Sequence, residues 1–186
     1  MKKLFILTVV TGVSAAVAFA AENKPVPSGF DLAVTETGAL KLPDVNFRSE
    51  WTMLGSWAIN GESNTEGLHI VYTQPGVATI FRETGAFPDG AVLIKELLST
   101  QTEDLPTGHV SYADQVQGWF VMVKDTEGRY PDNTLWGDGW GWGYFGADNP
   151  QSLVTNDYKD ECIACHVPAE DTDWIYTRGY PALLGD

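Results

Sequence analysis

Along much of this chain apolar residues form short β-branched and aromatic runs between turn residues instead of recurring every three or four positions, and such runs belong to strands. The run Leu68-His69-Ile70-Val71-Tyr72-Thr73 is β-branched and aromatic, and Gln74-Pro75-Gly76 halts it as a turn does. A second strand is expected over residues 91–98, after the turn residues Pro88-Asp89-Gly90. A third covers 118–123 and ends at Lys124-Asp125. A fourth covers 140–145, where glycines between Trp, Tyr and Phe leave room for a ring or backbone to come close. Two helices complete the pattern: a short one over 77–84 between turns, and a longer one over 150–166 with Ser152 or Asn149 near its start. No internal repeat or low-complexity tract interrupts it. The pattern predicts an α+β fold, a predominantly antiparallel β-sheet with a few helices, in one domain over 46–186. A loosely ordered arm over 21–45 leads into it.

The first twenty residues read as an address. Lys2 and Lys3 precede an apolar run over 4–17, and Ala18-Phe19-Ala20 offers the small residues that a signal peptidase accepts. That run is short for a membrane span of ~20 residues. A cleaved signal peptide over 1–20 is therefore expected, with export to the periplasm and no membrane span in the mature protein. The whole chain carries a net charge of −14, and the leader holds two lysines and no acid, so the remainder is two charges more negative. Such a surface disfavours nucleic acid and anionic membrane and suits a basic redox partner. Salt-adapted proteins share this composition. Seven Trp and seven Tyr suit a pocket lined by flat rings, and equally a β-rich core.

Chemistry enters with the cysteines. There are two, and histidine follows at once: Cys162-Ile163-Ala164-Cys165-His166. Thiols one helical turn apart can add to the two vinyl groups of one haem, with the adjacent imidazole beneath the iron. A thioredoxin-like pair belongs after a strand near the chain start. A zinc site needs further ligands, and His69 and His109 are the remaining histidines. A disulfide here closes too small a loop to stabilise much. Covalent haem c, one per chain, held by Cys162 and Cys165 and ligated by His166, fits best.

Only twenty residues follow His166 and none is methionine, so a sixth protein ligand would have to come from upstream: His69, His109, Met53 or Met122. No spacing marks any of them. An open sixth position is the expectation, and open iron binds small molecules, whereas iron closed by two protein ligands mostly shuttles electrons.

Alternation along 91–98 places Val92, Ile94, Glu96 and Leu98 on one face, and Ala91, Leu93, Lys95 and Leu97 on the other. Lys95 is thus flanked by apolar residues. Either its head reaches water or an acid while its stem covers apolar surface, or it is desolvated, deprotonated and nucleophilic.

The late Cys-x-x-Cys-His, the segment Thr84-Gly85-Ala86-Phe87-Pro88-Asp89-Gly90 and the following Lys95-Glu96-Leu97 together resemble the cytochrome P-460 family, including its c′-beta relatives. Val71-Tyr72 and Tyr180-Pro181-Ala182-Leu183 are similar to that family too, so the likeness runs from about Phe47 to Leu184. The resemblance implies a β-rich haem domain, usually a homodimer, with five-coordinate iron. It also implies a third covalent tie, from Lys95 to a meso carbon of the haem, in members that oxidise hydroxylamine. Relatives of the c′-beta type lack that tie and bind nitric oxide or carbon monoxide. A carboxylate shortly before the haem motif is implied as catalytic base, and Asp157 is the best placed, with Asp160 and Glu161 nearby. His69 falls where the family carries a polar or basic residue near the haem. The stretch 136–145 departs from the family's pattern.

Overall fold

In a computed structural model of the chain, residues 28–185 are described. The expected signal peptide and the first residues of the arm lie outside them. Six antiparallel strands form one sheet in the order β1-β2-β3-β4-β6-β5. They are β1 (Thr52–Asn60), β2 (Thr65–Thr73), β3 (Val92–Leu105), β4 (Gly108–Lys124), β5 (Trp136–Gly137) and β6 (Trp140–Gly146). The four predicted strands fall at the end of β2, the first half of β3, the end of β4 and nearly all of β6, and the short helix over 77–84 is α3 (Val77–Thr84).

Sequence pattern underestimates the sheet in two places. β3 and β4 run on into a long hairpin closed by Pro106 and Thr107, and its outer half is polar and exposed on both faces. Such a half has no apolar period to detect. β1 is an edge strand, bulged between Met53 and Gly55 and mostly exposed, so its alternation is equally faint.

The expected helix over 150–166 is not continuous. Residues 153–155 are claimed by β6: the Val154 amide donates to the Tyr144 carbonyl at 2.9 Å, and the Thr155 hydroxyl accepts from the Tyr144 amide at 3.0 Å. Helix starts only at Asp157, which caps α4 (Tyr158–Glu161) in place of Ser152 or Asn149. At Cys162 the backbone leaves the helical region (φ −123°) before α5 (Ile163–His166).

Both faces of the sheet are covered. On one, Val71, Leu93, Met122, Trp140 and Trp142 pack beneath α3 and the C-terminal segment. On the other, Tyr72, Val92, Ile94, Val121, Val123 and Phe145 are covered by Ala33, Val34, Leu40 and Phe47. The described part of the expected loose arm is thus a lid on this second core. Its helix α1 (Gly29–Ala33) is capped by Ser28 and tied to the sheet by the Gly29 amide, 2.8 Å from the Gly90 carbonyl. A Cβ on Gly29 would fall 2.2 Å from that oxygen, so the approach requires glycine.

Glu96 lies on this second face and is almost fully buried (1% exposed). Its carboxylate accepts from both Nε and Nη2 of Arg48, on α2 (Phe47–Glu50), and from the indole Nε1 of Trp119 at 3.1 Å. Slipping β3 by one residue would turn Glu96 into the other core and Lys95 out of it, so these bonds help fix the register. Replacing Arg48 with Met strands a buried carboxylate. Because Arg48 is itself half exposed, the expected loss is about 2 kcal/mol, below the range for fully buried pairs. Urea unfolding should show it, with a smaller loss for Glu96→Gln, whose amide oxygen still accepts from Trp119.

Candidate haem site

Between the first sheet face and the C-terminal segment lies a cleft of about 200 Å³, partly open to solvent. Val71 (β2), Leu93 and Lys95 (β3), Phe120 and Met122 (β4) and Trp142 (β6) form its sheet wall. Register explains the grouping: Val71, Lys95, Phe120 and Tyr144 are successive cross-strand partners, as are Leu93, Met122 and Trp142. Glu161, Cys162, Cys165 and His166 face this wall.

The break between α4 and α5 buries Cys162, while Cys165 is exposed, and both thiols are free. Burial first, then Glu161 and Cys165, push the Cys162 thiol up to about 11, so it stays protonated near neutral pH. His166 rests against the edge of Trp142, with ring centroids 4.8 Å apart and planes at 78°. Its Nδ1 is 2.7 Å from the Trp174 carbonyl. A carbonyl only accepts, so Nδ1 carries the hydrogen and Nε2 keeps its lone pair for a metal. Burial holds the imidazole pKa below its ordinary value; the Trp174 carbonyl opposes the shift and Lys95 adds to it.

The turn that presents the Trp174 carbonyl has no sequence signature. Asp173 (φ 58°) and Trp174 (φ 66°) both take left-handed backbone, uncommon outside glycine. Three contacts hold the turn. Asp173 pairs with Lys124, its Oδ2 accepts from the Phe87 amide at 3.3 Å, and its carbonyl accepts from Trp140 Nε1 at 3.1 Å.

Lys95 enters the cleft with its Nζ 4.8 Å from the Phe120 ring centroid. Among the described residues no carboxylate forms an ion pair with it. Burial lowers its pKa and the Cys165 sulfur opposes that shift. Pairing with an acid, one half of the first sequence reading, is therefore set aside; Lys95 itself is half-buried. Asp157 does not line the cleft; its carboxylate accepts from the Lys159 amide at 2.8 Å as the helix cap. Glu161 is the acid that does line it, with Oε1 3.2 Å from the Asn156 amide. His69 shares the Lys95 face one pair further along, opposite Leu97, and burial followed by Lys95 lowers its pKa. His109 sits near the exposed hairpin tip, 2.7 Å from Asp104, and Met53 is exposed. Met122 lines the cleft, next to the Trp142 on which His166 rests. Of the four upstream candidates, Met122 is the one that lines the cleft.

The residues present fit a haem. Walls are apolar, two free thiols lie one turn apart, and an imidazole has its outer nitrogen bonded and its inner one available. An antiparallel sheet closing such a cleft against a late Cys-x-x-Cys-His segment defines a cytochrome-type haem protein. More particularly, the Cytochrome P460 family model matches residues 45–177, and the chain belongs to that family, which implies a haem cofactor. No curated protein matches the chain.

Both His69 and His166 have imidazole pKa values lowered by folding, so the folded chain binds fewer protons than the unfolded one. Their contribution to stability is fully present above about pH 6.5 and is lost as pH falls through that value toward the folded pKa. Urea unfolding of the haem-free chain should show stability declining below about pH 6.5. His69→Gln and His166→Gln should each flatten the profile.

Proposed function

We propose that this chain is an exported, periplasmic mono-haem c-type cytochrome that oxidises hydroxylamine or a similar small nitrogen compound and passes the electrons to a redox partner. The observation that supports this reading is Lys95: an amine with no acid partner among the described residues, its pKa lowered by burial, in the same cleft as Cys162, Cys165 and His166. Haem c bound there supplies an iron that both takes a small ligand and accepts electrons. Cys162 and Cys165 would hold it by thioethers, and His166 Nε2 would ligate the iron. Burial makes neutral Lys95 easier to reach, and a neutral amine is the nucleophile a third link to a meso carbon needs. Such a bond would replace one meso C–H and one amine N–H, releasing two electrons to the redox partner and two protons to water. Oxidation of hydroxylamine releases protons, and Glu161 is the carboxylate lining the cleft that can take them.

A second reading rests on the wall itself. Val71, Leu93 and Phe120 are apolar, and Glu161 stands on the cysteine side rather than on the sheet. An apolar open face favours nitric oxide binding without turnover.

Three measurements separate the two. A positive pyridine haemochrome assay establishes haem c, and its absence removes both readings. The mass of the digested haem peptide should include Lys95, and a peptide without it sinks the cross-linked enzyme. Hydroxylamine-dependent reduction of an electron acceptor should fall by about 10² to 10⁴ in Glu161→Ala if that carboxylate is the base. Asp157→Ala should leave this activity intact and cost about 1 kcal/mol of stability, as loss of a helix cap does.

A further inference from the structure

We propose that Tyr158 is a redox-active tyrosine, an electron donor with Asp138 as its proton acceptor, that helps reduce peroxide reaching the haem. The inference rests on haem c occupying the cleft. Three rings run in succession away from the iron ligand. Trp142 meets His166 at 4.8 Å edge-on, and Tyr158 stacks on Trp142 at 5.9 Å with planes 12° apart. Both aromatic residues are buried, at 1% and 5% exposure.

The Tyr158 hydroxyl then emerges at the turn between β5 and β6, where it donates to Asp138 Oδ2 at 3.1 Å. Asp138 (φ 55°) and Gly139 (φ 80°) form the two-residue turn, and Asp138 is exposed to solvent. Local backbone is shaped around this contact. A Cβ on Gly137 would lie 2.0 Å from the Tyr158 oxygen, and the Gly137 carbonyl accepts from Trp142 Nε1 at 3.1 Å. One turn therefore holds both rings and supplies the carboxylate. A ring that served only to fill the core would need no acid at its tip.

The chemistry of phenol makes that acid matter. A neutral phenol gives up an electron at moderate potential only as its proton departs, and a hydrogen-bonded carboxylate receives the proton without rearrangement. Tyr176 provides the contrast. It is also near His166, at 6.2 Å, but its hydroxyl donates to the Cys165 backbone carbonyl, which cannot take a proton at any ordinary pH.

The reaction balances with hydrogen peroxide and reduced haem as co-reactants. The O–O bond breaks on receiving two electrons, one from ferrous iron, which becomes ferric, and one from Tyr158 through Trp142. Two protons join the oxygens, one from solvent and one matched by the phenolic proton passed to Asp138 and on to water. The products are two waters, ferric haem and a neutral tyrosyl radical.

The test mixes reduced, haem-loaded protein with equimolar hydrogen peroxide, freezes it rapidly and records the electron paramagnetic resonance spectrum. A tyrosyl signal is expected in the wild type and in Tyr176→Phe, with its loss in Tyr158→Phe. Asp138→Asn, exposed and tolerant of left-handed backbone, should also lose the signal at neutral pH while its haem absorption stays unchanged. A signal that survives Tyr158→Phe, or vanishes in Tyr176→Phe, overturns the assignment to Tyr158. Full signal in Asp138→Asn overturns the proton acceptor. Haem that is oxidised normally with no radical in the wild type sinks this proposal alone, whereas a chain without haem c sinks the proposed function as well.

Discussion

Neighbouring residues of a strand must point to opposite sides of its sheet, and at Lys95 and Glu96 that rule places a cation in one core and an anion in the other. The two charges are adjacent in sequence yet cannot neutralise each other across the backbone. Glu96 is compensated by Arg48 and Trp119 from the lid side. Lys95 has no such partner among the described residues and lies over the face of Phe120. The consequence is a division of labour between the faces: one is a closed structural core, the other a cleft holding an uncompensated amine beside two thiols and an imidazole.

The imidazole depends on a second constraint. His166 belongs to a four-residue helix that could not fix its ring by itself, and the Trp174 carbonyl does so from outside. That carbonyl is presented by two consecutive left-handed residues, a costly arrangement that persists because Lys124, Phe87 and Trp140 all hold Asp173. Ligand orientation therefore reaches back to the end of β4 and the start of β6. Sheet and C-terminal segment are built as one site.

Much of this was legible in the sequence wherever a local signal existed. Spacing alone marked Cys162, Cys165 and His166 as candidate haem contacts, and alternation in 91–98 put Lys95 and Glu96 on opposite faces of the sheet. Strand cores at 68–73, 118–123 and 140–145 carried apolar runs and were readable, whereas the polar outer hairpin and the bulged edge strand carried none. The segment 150–166 misled because helix-forming composition says nothing about backbone groups already committed to β6. The same commitment moved the helix start to Asp157, whose carboxylate caps α4, and left Glu161 at the cleft. The Asp173–Trp174 turn and the Asp138–Tyr158 bond join residues whose pairing only the folded chain creates.

The interruption at Cys162 decides what keeps the two thiols in place. Two four-residue helices separated by a break fall far below the length at which helix sustains itself in water, so the floor of the cleft owes its form to what it rests against. Tyr158 and Cys162 are buried in the same apolar cluster as Val71, Leu93 and Trp142. A substitution that loosens the sheet wall therefore also shifts the cysteines and the histidine, without touching any of them.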